Sequence, residues 1–307
     1  MKIRILIFFS LLSLLVKAQT CYTSFPGNLT RMFVSPLYIT MEKLKVVGPL
    51  NCNTDIETLR IFSGKEEKPL TVLDLEDAYF CSEEGLFSID ESIDEVGKIN
   101  YIPDYLFASF KLRRIVIPSI TTIINKYAFS DCIYLQNVVF PKNLQRIEEY
   151  AFWNCDLKQI ELPENLKYIG RKAFSKCNLV SKIIIPASVE EVDYDAFEDV
   201  GAYFPADIWM YSNVPPSIPN LCSVYCSNNK ITLHVPIGCT EAYAATAWGK
   251  AANIVEYDNI SAATNIKSNN TSKIEAIYDM NGKRCEKIGK GTYIILYNNK
   301  TTKEFRR

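Results

Sequence analysis

The chain of 307 residues holds a single histidine, His234. A metal centre built from histidines is therefore excluded, and a serine-histidine-aspartate triad would have to use that one residue. There is no glycine-rich phosphate loop; glycines number only 12 and prolines 14. The acids of residues 76–101 (Glu83, Glu84, Asp90, Glu91, Asp94 and Glu95) lack EF-hand spacing, so the stretch reads as a solvated loop and not as a calcium site. Past the N-terminus no apolar run is long enough to cross a bilayer. Neither sign of charge dominates, with 34 Lys and Arg against 35 Asp and Glu. Such a balance makes a poor partner for nucleic acid. No carboxylate pair is placed to serve as acid and base. The expectation is a protein without catalysis, cofactor or metal. Hydrophobic residues make up 48% of the chain, enough for a sizeable core.

What is present is a period. Ala128-Phe129, Ala151-Phe152, Ala173-Phe174 and Ala196-Phe197 stand 23, 22 and 23 residues apart, with Leu106-Phe107 another 22 upstream. Repeats of this length stack as the coils of a solenoid. Each of the last four phenylalanines follows a proline by 11 residues: Pro118, Pro141, Pro163 and Pro186. The pattern is L-x-x-I-x-I-P-x-x-L-x-x-I-x-x-x-A-F-x-x-C. Its I-x-I segment alternates and so predicts a short strand with one buried face, which the proline ends because it brings no N–H to the ladder. Phe107, Phe129, Phe152, Phe174 and Phe197 fill the interior from the opposite wall, and Cys132, Cys155 and Cys177 recur with them. No coil can bury this face alone; stacking merges the faces into one core.

The outward strand positions are Arg114 and Val116, Asn137 and Val139, Gln159 and Glu161, and Lys182 and Ile184. They mix charge, amide and aliphatic groups. They form either a solvated sheet face or a surface that binds a protein or a glycan. His234 falls on the outward side of a later strand and reads as ordinary surface.

The N-terminus carries Lys2 and Arg4, an apolar run from Ile5 to Val16, and Ala18 at a plausible cut. Residues 1–18 read as a secretory signal. Removing Lys2, Arg4 and Lys17 takes the net charge from −1 to −4. Cys21 follows Thr20, which is larger than lipid-attachment sites favour. All ten cysteines lie after the cut, where an oxidising compartment permits disulfides. Cys132, Cys155 and Cys177 read as small, buried and reduced. Parallel side chains one coil apart aim poorly at each other. Cys52 with Cys81, and two among Cys222, Cys226 and Cys239, are candidate pairs.

Residues 19–69 read as an N-terminal cap region, with a strand over Leu44–Gly48 and a helix over Asn53–Arg60 started by Thr54 or Asp55. Residues 70–256 read as a solenoid of about five to six coils. Leu70–Leu75 forms its first strand. Residues 201–230 read as irregular edges. Ile231–Pro236 and a short helix from Thr240 to Trp248 close the array. Residues 257–272, with four asparagines, form a linker. Residues 273–307 form a small β unit with strands at Ile274–Tyr278 and Thr292–Tyr297.

The repeat resembles the BspA-like leucine-rich repeats of bacterial surface proteins. Leu44 to Leu75, and the closing Leu233-His234-Val235-Pro236 with Tyr243, Trp248 and Ile254, are similar to that family's first and last units. The tail, with Ile277 to Arg284 and Gly291 to Ile295, resembles C-terminal sorting domains of type IX secretion. The resemblance implies an α/β leucine-rich-repeat solenoid with irregular or short-helical return segments. It also implies a secreted or surface-attached protein, some relatives being adhesins for host extracellular proteins such as fibronectin and fibrinogen. The other expectation is a structural, self-assembling component of the cell envelope.

Overall fold

The computed structural model describes residues 19–24, 26–27, 29, 41–66, 69–81, 98–219, 231–250 and 253–257, together with the backbone of four strands between 274 and 306. The expected signal 1–18, the acidic stretch 82–97, Cys222, Cys226 and residues 258–273 lie outside the described residues. The chain divides into two compact units, Met1–Glu256 and Tyr257–Arg307.

The first unit is a leucine-rich-repeat solenoid of parallel strands with about eight turns, more than the five to six counted from the period. β1 (Gln19–Tyr22) lies parallel to β2 (Lys43–Asn51). Farther along, β2 pairs with β3 (Val72–Asp74) through Lys43–Lys45, and with β4 (Ala78–Cys81) through Gly48–Asn51. The change of partner falls at Gly48, whose φ is +105° and where any side chain would collide with the Thr23 carbonyl. Cys21 is buried in β1, an environment suited to an apolar thiol.

The helix α1 (Thr54–Ser63) is capped differently from the sequence expectation. The Asn51 Oδ1 accepts the N–H groups of Asn53 and Thr54, each at 2.8 Å. Asp55 is fully buried and has another task. Its carboxylate accepts the backbone N–H groups of Gly27 (2.7 Å), Leu29 (3.0 Å) and Asn51 (2.8 Å). These charge-assisted bonds hold the incoming chain against the first turn of the helix.

β5 (Lys98–Ile99) runs antiparallel to β4, and β6 (Tyr101–Ile102) starts a second wall. Four coils then give one strand to each wall. They are β7 (Arg114–Val116) with β8 (Ile123–Ile124), β9 (Asn137–Val139) with β10 (Arg146–Ile147), β11 (Gln159–Glu161) with β12 (Tyr168–Ile169), and β13 (Lys182–Ile185) with β14 (Glu191–Val192). The return segments of these coils are thus two-residue strands and turns, the irregular form of the two expected. β15 (Ala206–Met210), β16 (Ile231–Pro236) and β17 (Asn253–Tyr257) extend the first wall. β15 corrects the reading of 201–230 as irregular. Ala206, Ile208 and Met210 point inward, and the strand pairs with β13 and β16. Its signature was hidden because Tyr211 stands where the four preceding coils have proline.

Inside, the five phenylalanines form one stack. Phe107, Phe129, Phe152, Phe174 and Phe197 follow at 5.1, 4.9, 5.3 and 5.6 Å between ring centroids, all within 5° of parallel. The stack crosses the one interruption in the first wall, between β9 and β11. There the coil with Cys155-Asp156-Leu157 is a residue shorter than the coil with Cys132-Ile133-Tyr134-Leu135. A bond from the Lys158 N–H to the Gln136 carbonyl (3.2 Å) carries the contact across.

A third ladder runs through the turn around each phenylalanine. In Tyr127-Ala128-Phe129-Ser130-Asp131 the first, third and fifth N–H groups donate to Glu149, Ala151 and Trp153 carbonyls of the next coil, at 3.1, 2.8 and 2.8 Å. The first and fifth residues are left-handed, Tyr127 at φ 56° and Asp131 at φ 58°. The same geometry recurs at Tyr105 and Ser109, Tyr150 and Asn154, Lys172 and Lys176, and Asp195 and Asp199. None of these is glycine, although the conformation is uncommon for other residues.

The last coil is closed by buried aromatic rings with satisfied polar tips. The Tyr243 hydroxyl donates to Ser212 O (2.7 Å) and the Trp248 Nε1–H to Pro216 O (3.2 Å). The helix α2 (Thr240–Ala244) is shorter than expected, and a 3₁₀ turn follows at Ala247–Lys250. Glu256 accepts from the Thr240 hydroxyl (2.8 Å) and the Gly238 N–H (3.0 Å), and these bonds hold its carboxyl below its ordinary value. The second unit is a four-stranded antiparallel sheet. In it β18 (Ile274–Asp279) lies between β19 (Arg284–Cys285) and β20 (Thr292–Tyr297), and β21 (Thr302–Arg306) forms the far edge.

Truncating Phe152 to alanine should destabilise the solenoid by about 3–5 kcal/mol, as for other large buried aromatics. The measurement is chemical denaturation, with exposed Val139→Ala as the near-neutral control. The Glu256 carboxyl is depressed in the folded state, so its contribution is present above the unfolded glutamate value and is lost as pH falls through the folded one. Thermal unfolding of Glu256→Gln across the acidic range should therefore lose part of the pH dependence shown by the unaltered chain.

Candidate binding surface

The outward side of the first wall is assembled by strand alternation. Each coil turns its odd positions to the core and shows the two between them, so successive coils align equivalent side chains in rows. One row contains Arg114, Asn137, Gln159, Lys182, Asp207 and Thr232. The next contains Asp74, Val116 and Val139, then Glu161, Ile184, Trp209 and His234. All eight residues expected on this face are there. Arg114, Asn137, Val139, Gln159 and Glu161 are exposed, and Val116, Lys182 and Ile184 are half-buried.

Contacts between coils organise the face. An Arg114 guanidinium N–H donates to Asn137 Oδ1 at 2.7 Å. Lys45 lies 2.7 Å from the Asp77 carboxylate and 3.7 Å from that of Asp74, and the Asp77 bond raises its pKa. One end of the face thus carries fixed charge, while Val116 and Val139, and Ile184 beyond Glu161, add aliphatic side chains along the row.

Sequence reasoning missed one part. Trp209 lies 4.0 Å from His234, the rings 4° from parallel, and Lys182 Nζ stands 5.5 Å from the Trp209 ring centre. The His234 Nε2 is 3.1 Å from Asp207 Oδ1. Trp209 and Asp207 belong to β15, so failing to read that strand hid them. The alternation Ala206-Asp207-Ile208-Trp209-Met210 was the available signal. His234 is 16% exposed and packed, with more company than an ordinary surface histidine.

The return wall is polar. Tyr168 donates to Asp193 Oδ2 (3.1 Å) under the Arg146 guanidinium, and burial with the neighbouring Asp193 pushes its phenol up to about 12. Ion pairs link coils here too, Lys167 to Glu190 and Lys172 to Glu198. These are exposed or half-exposed pairs of small energetic weight.

The periodic cysteines are structural. Cys132, Cys155 and Cys177 are buried, and their thiols donate to the carbonyls of Phe107, Phe129 and Phe152 in the preceding coil, at 3.1, 3.1 and 3.3 Å. Burial raises the Cys155 thiol well above its ordinary value and pushes Cys177 up to about 12. The candidate pair Cys52–Cys81 does not form. In the register of β2 and β4 it is Asn51 that stands beside Cys81, and Cys52 lies one residue farther on. Cys239 is a thiol as well. Among the described residues no group of His, Cys, Asp and Glu side chains is arranged to hold a metal, and no helix is long and apolar enough to cross a membrane.

With this geometry established, comparison with known proteins identifies the repeat. Residues 100–203, about a third of the chain, match in six copies the family described as BspA type leucine rich repeat region. Among solved structures, a leucine-rich repeat protein of T. pallidum is 23% identical over 55% of this chain and 66% of its own, with a TM-score of 0.37. The pneumococcal vaccine antigen PcpA is 16% identical over 72% and 59%, with a TM-score of 0.43. A leucine rich cell surface protein of Faecalibacterium prausnitzii is 14% identical over 80% and 85%, with a TM-score of 0.32. The chain thus spans less than two thirds of the length of the first two structures. No curated protein matches.

Cys132, Cys155 and Cys177 should resist alkylation in the native chain and react only after denaturation, since the thiolate is the reactive form and burial disfavours it. Mass mapping of iodoacetamide-treated protein, native against unfolded, checks this.

Proposed function

We propose that the chain is a secreted or surface-attached, non-catalytic binding protein that recognises a macromolecule through the outward face of its first wall. The observation that carries this reading is the alignment of equivalent, outward-pointing side chains over successive coils. It yields the adjacent pair Val116 and Val139, with Ile184 beyond Glu161 in the same row, among polar neighbours. A protein fits this face better than a glycan. Sugar rings seek an open aromatic face, and Trp209 is stacked on His234 with Lys182 beside its ring. An aliphatic strip with Arg114 and Glu161 at hand suits a protein surface of mixed polarity. A host extracellular protein, as for adhesins of similar repeat type, is the partner class proposed.

The test is a binding screen of the chain from residue 19 onward against immobilised fibronectin, fibrinogen, mucin and polysaccharides. Binding at micromolar concentration or tighter should be found with a protein. Val139→Lys and Ile184→Lys should weaken it at least about tenfold, as loss of a central apolar contact does, with the thermal unfolding midpoint unchanged. Absence of any binding, with concentration-dependent self-association in light scattering instead, overturns the reading in favour of an assembling envelope component.

A further inference from the structure

The turn that leads to each stacked phenylalanine sets one residue in the left-handed region two positions before it, with its side chain on the surface. In three successive coils that residue is tyrosine: Tyr105, Tyr127 and Tyr150. Their rings stack face to face, 4.8 Å between centroids in each pair and within 5° of parallel. Tyr105 is 56% exposed, and Tyr127 and Tyr150 are half-buried. The fold does not demand a ring at this place. Lys172 and Asp195 occupy it in the next two coils with the same backbone conformation. The aromatic identity therefore needs a reason beyond coil closure. Among the described residues no other two tyrosines stack on each other.

We infer that Tyr105, Tyr127 and Tyr150 form a site of oxidative modification, at which neighbouring coils become joined by dityrosine bonds. The reactant is a peroxide acting through a one-electron oxidant such as a haem peroxidase. Each of two neighbouring phenols loses one electron and one proton to give a phenoxyl radical. The radicals couple by a carbon–carbon bond between positions ortho to the hydroxyls. The two ortho hydrogens then move to the oxygens as the rings regain aromaticity. Two tyrosines and one hydrogen peroxide thus give one dityrosine and two waters. Stacking keeps the radicals adjacent, so coupling within the chain is favoured over encounter between chains. Rotation about χ2, a broad torsion for tyrosine, turns the ortho carbons of the accessible rings toward each other. A link at this place would tie coils together covalently on the surface, whereas the periodic thiols Cys132, Cys155 and Cys177 are buried in the interior.

The experiment treats dilute purified chain with hydrogen peroxide and a haem peroxidase. It reads dityrosine fluorescence from the monomer and maps linked peptides by mass. The expected result is monomer carrying Tyr105–Tyr127 or Tyr127–Tyr150 links, each two hydrogens lighter than the separate peptides. Tyr127→Phe keeps a ring in the stack and should abolish both links. The double variant Tyr105→Phe, Tyr150→Phe should do the same by a different route. Tyr203→Phe, which alters an exposed tyrosine outside the stack, should leave the links in place. Monomer without linked peptides, links only between chains, or full intramolecular signal in Tyr127→Phe overturns the inference.

Discussion

A single distance governs this molecule: the separation of neighbouring coils, fixed by parallel backbone hydrogen bonding at about 4.8 Å. Three ladders impose it, one on each wall and one through the turn around each phenylalanine. Side chains that repeat at equivalent positions must then lie at the same spacing. That spacing permits aromatic faces to stack, which explains the phenylalanine column inside and the tyrosine column outside. It also fixes the hydrogen bond from each periodic thiol to the preceding coil. When the first wall loses its pairing between β9 and β11, the other ladders continue and the Phe129 and Phe152 rings stay stacked, 4.9 Å between centroids. Redundancy of this kind lets one ladder fail without separating the coils.

The features visible in the sequence are those with large, invariant side chains in the core. Phe152, Ile147 and Ile160 repeat because a solenoid interior offers each coil the same environment, and Pro141 and Pro163 mark where strand pairing must stop. The turns were not visible. Left-handed residues are sought through glycine, and here Tyr127, Asp131, Asn154 and Lys172 take that conformation. Their N–H groups are turned toward the next coil, so inter-coil hydrogen bonds offset the backbone strain. β15 escaped notice because its register is announced by neither proline nor an Ala-Phe pair. The role of Asp55 was equally hidden. A buried carboxylate tied to three backbone N–H groups depends on Gly27 and Leu29, more than two dozen residues away.

The same physics explains how much of the candidate face was legible. Outward positions follow from alternation alone, so Arg114, Asn137, Gln159 and Lys182 could be assigned to one row before any coordinates. What they touch could not. The Arg114–Asn137 bond and the stack of Trp209 on His234 require the parallel register of particular strands. In a solenoid the core positions are constrained by stacking, whereas the face positions are constrained mainly by solubility. Sequence change can therefore accumulate on the face with little effect on the fold, as it does on the exposed faces of repeat proteins in general.

The thiols carry this logic into redox chemistry. Cysteines of secreted proteins commonly cross-link, whereas Cys132, Cys155 and Cys177 stand in a row as thiols. Translational repetition accounts for this. Equivalent side chains leave their coils in the same direction, and a disulfide needs them to turn toward one another. Each sulfur instead has a carbonyl of the coil before it as acceptor, and burial disfavours the thiolate that oxidation requires. The stacking that makes a long core possible thus withholds those side chains from the bond that secreted proteins commonly use. Covalent reinforcement between these coils is open instead to surface groups at the same spacing, which can rotate to meet.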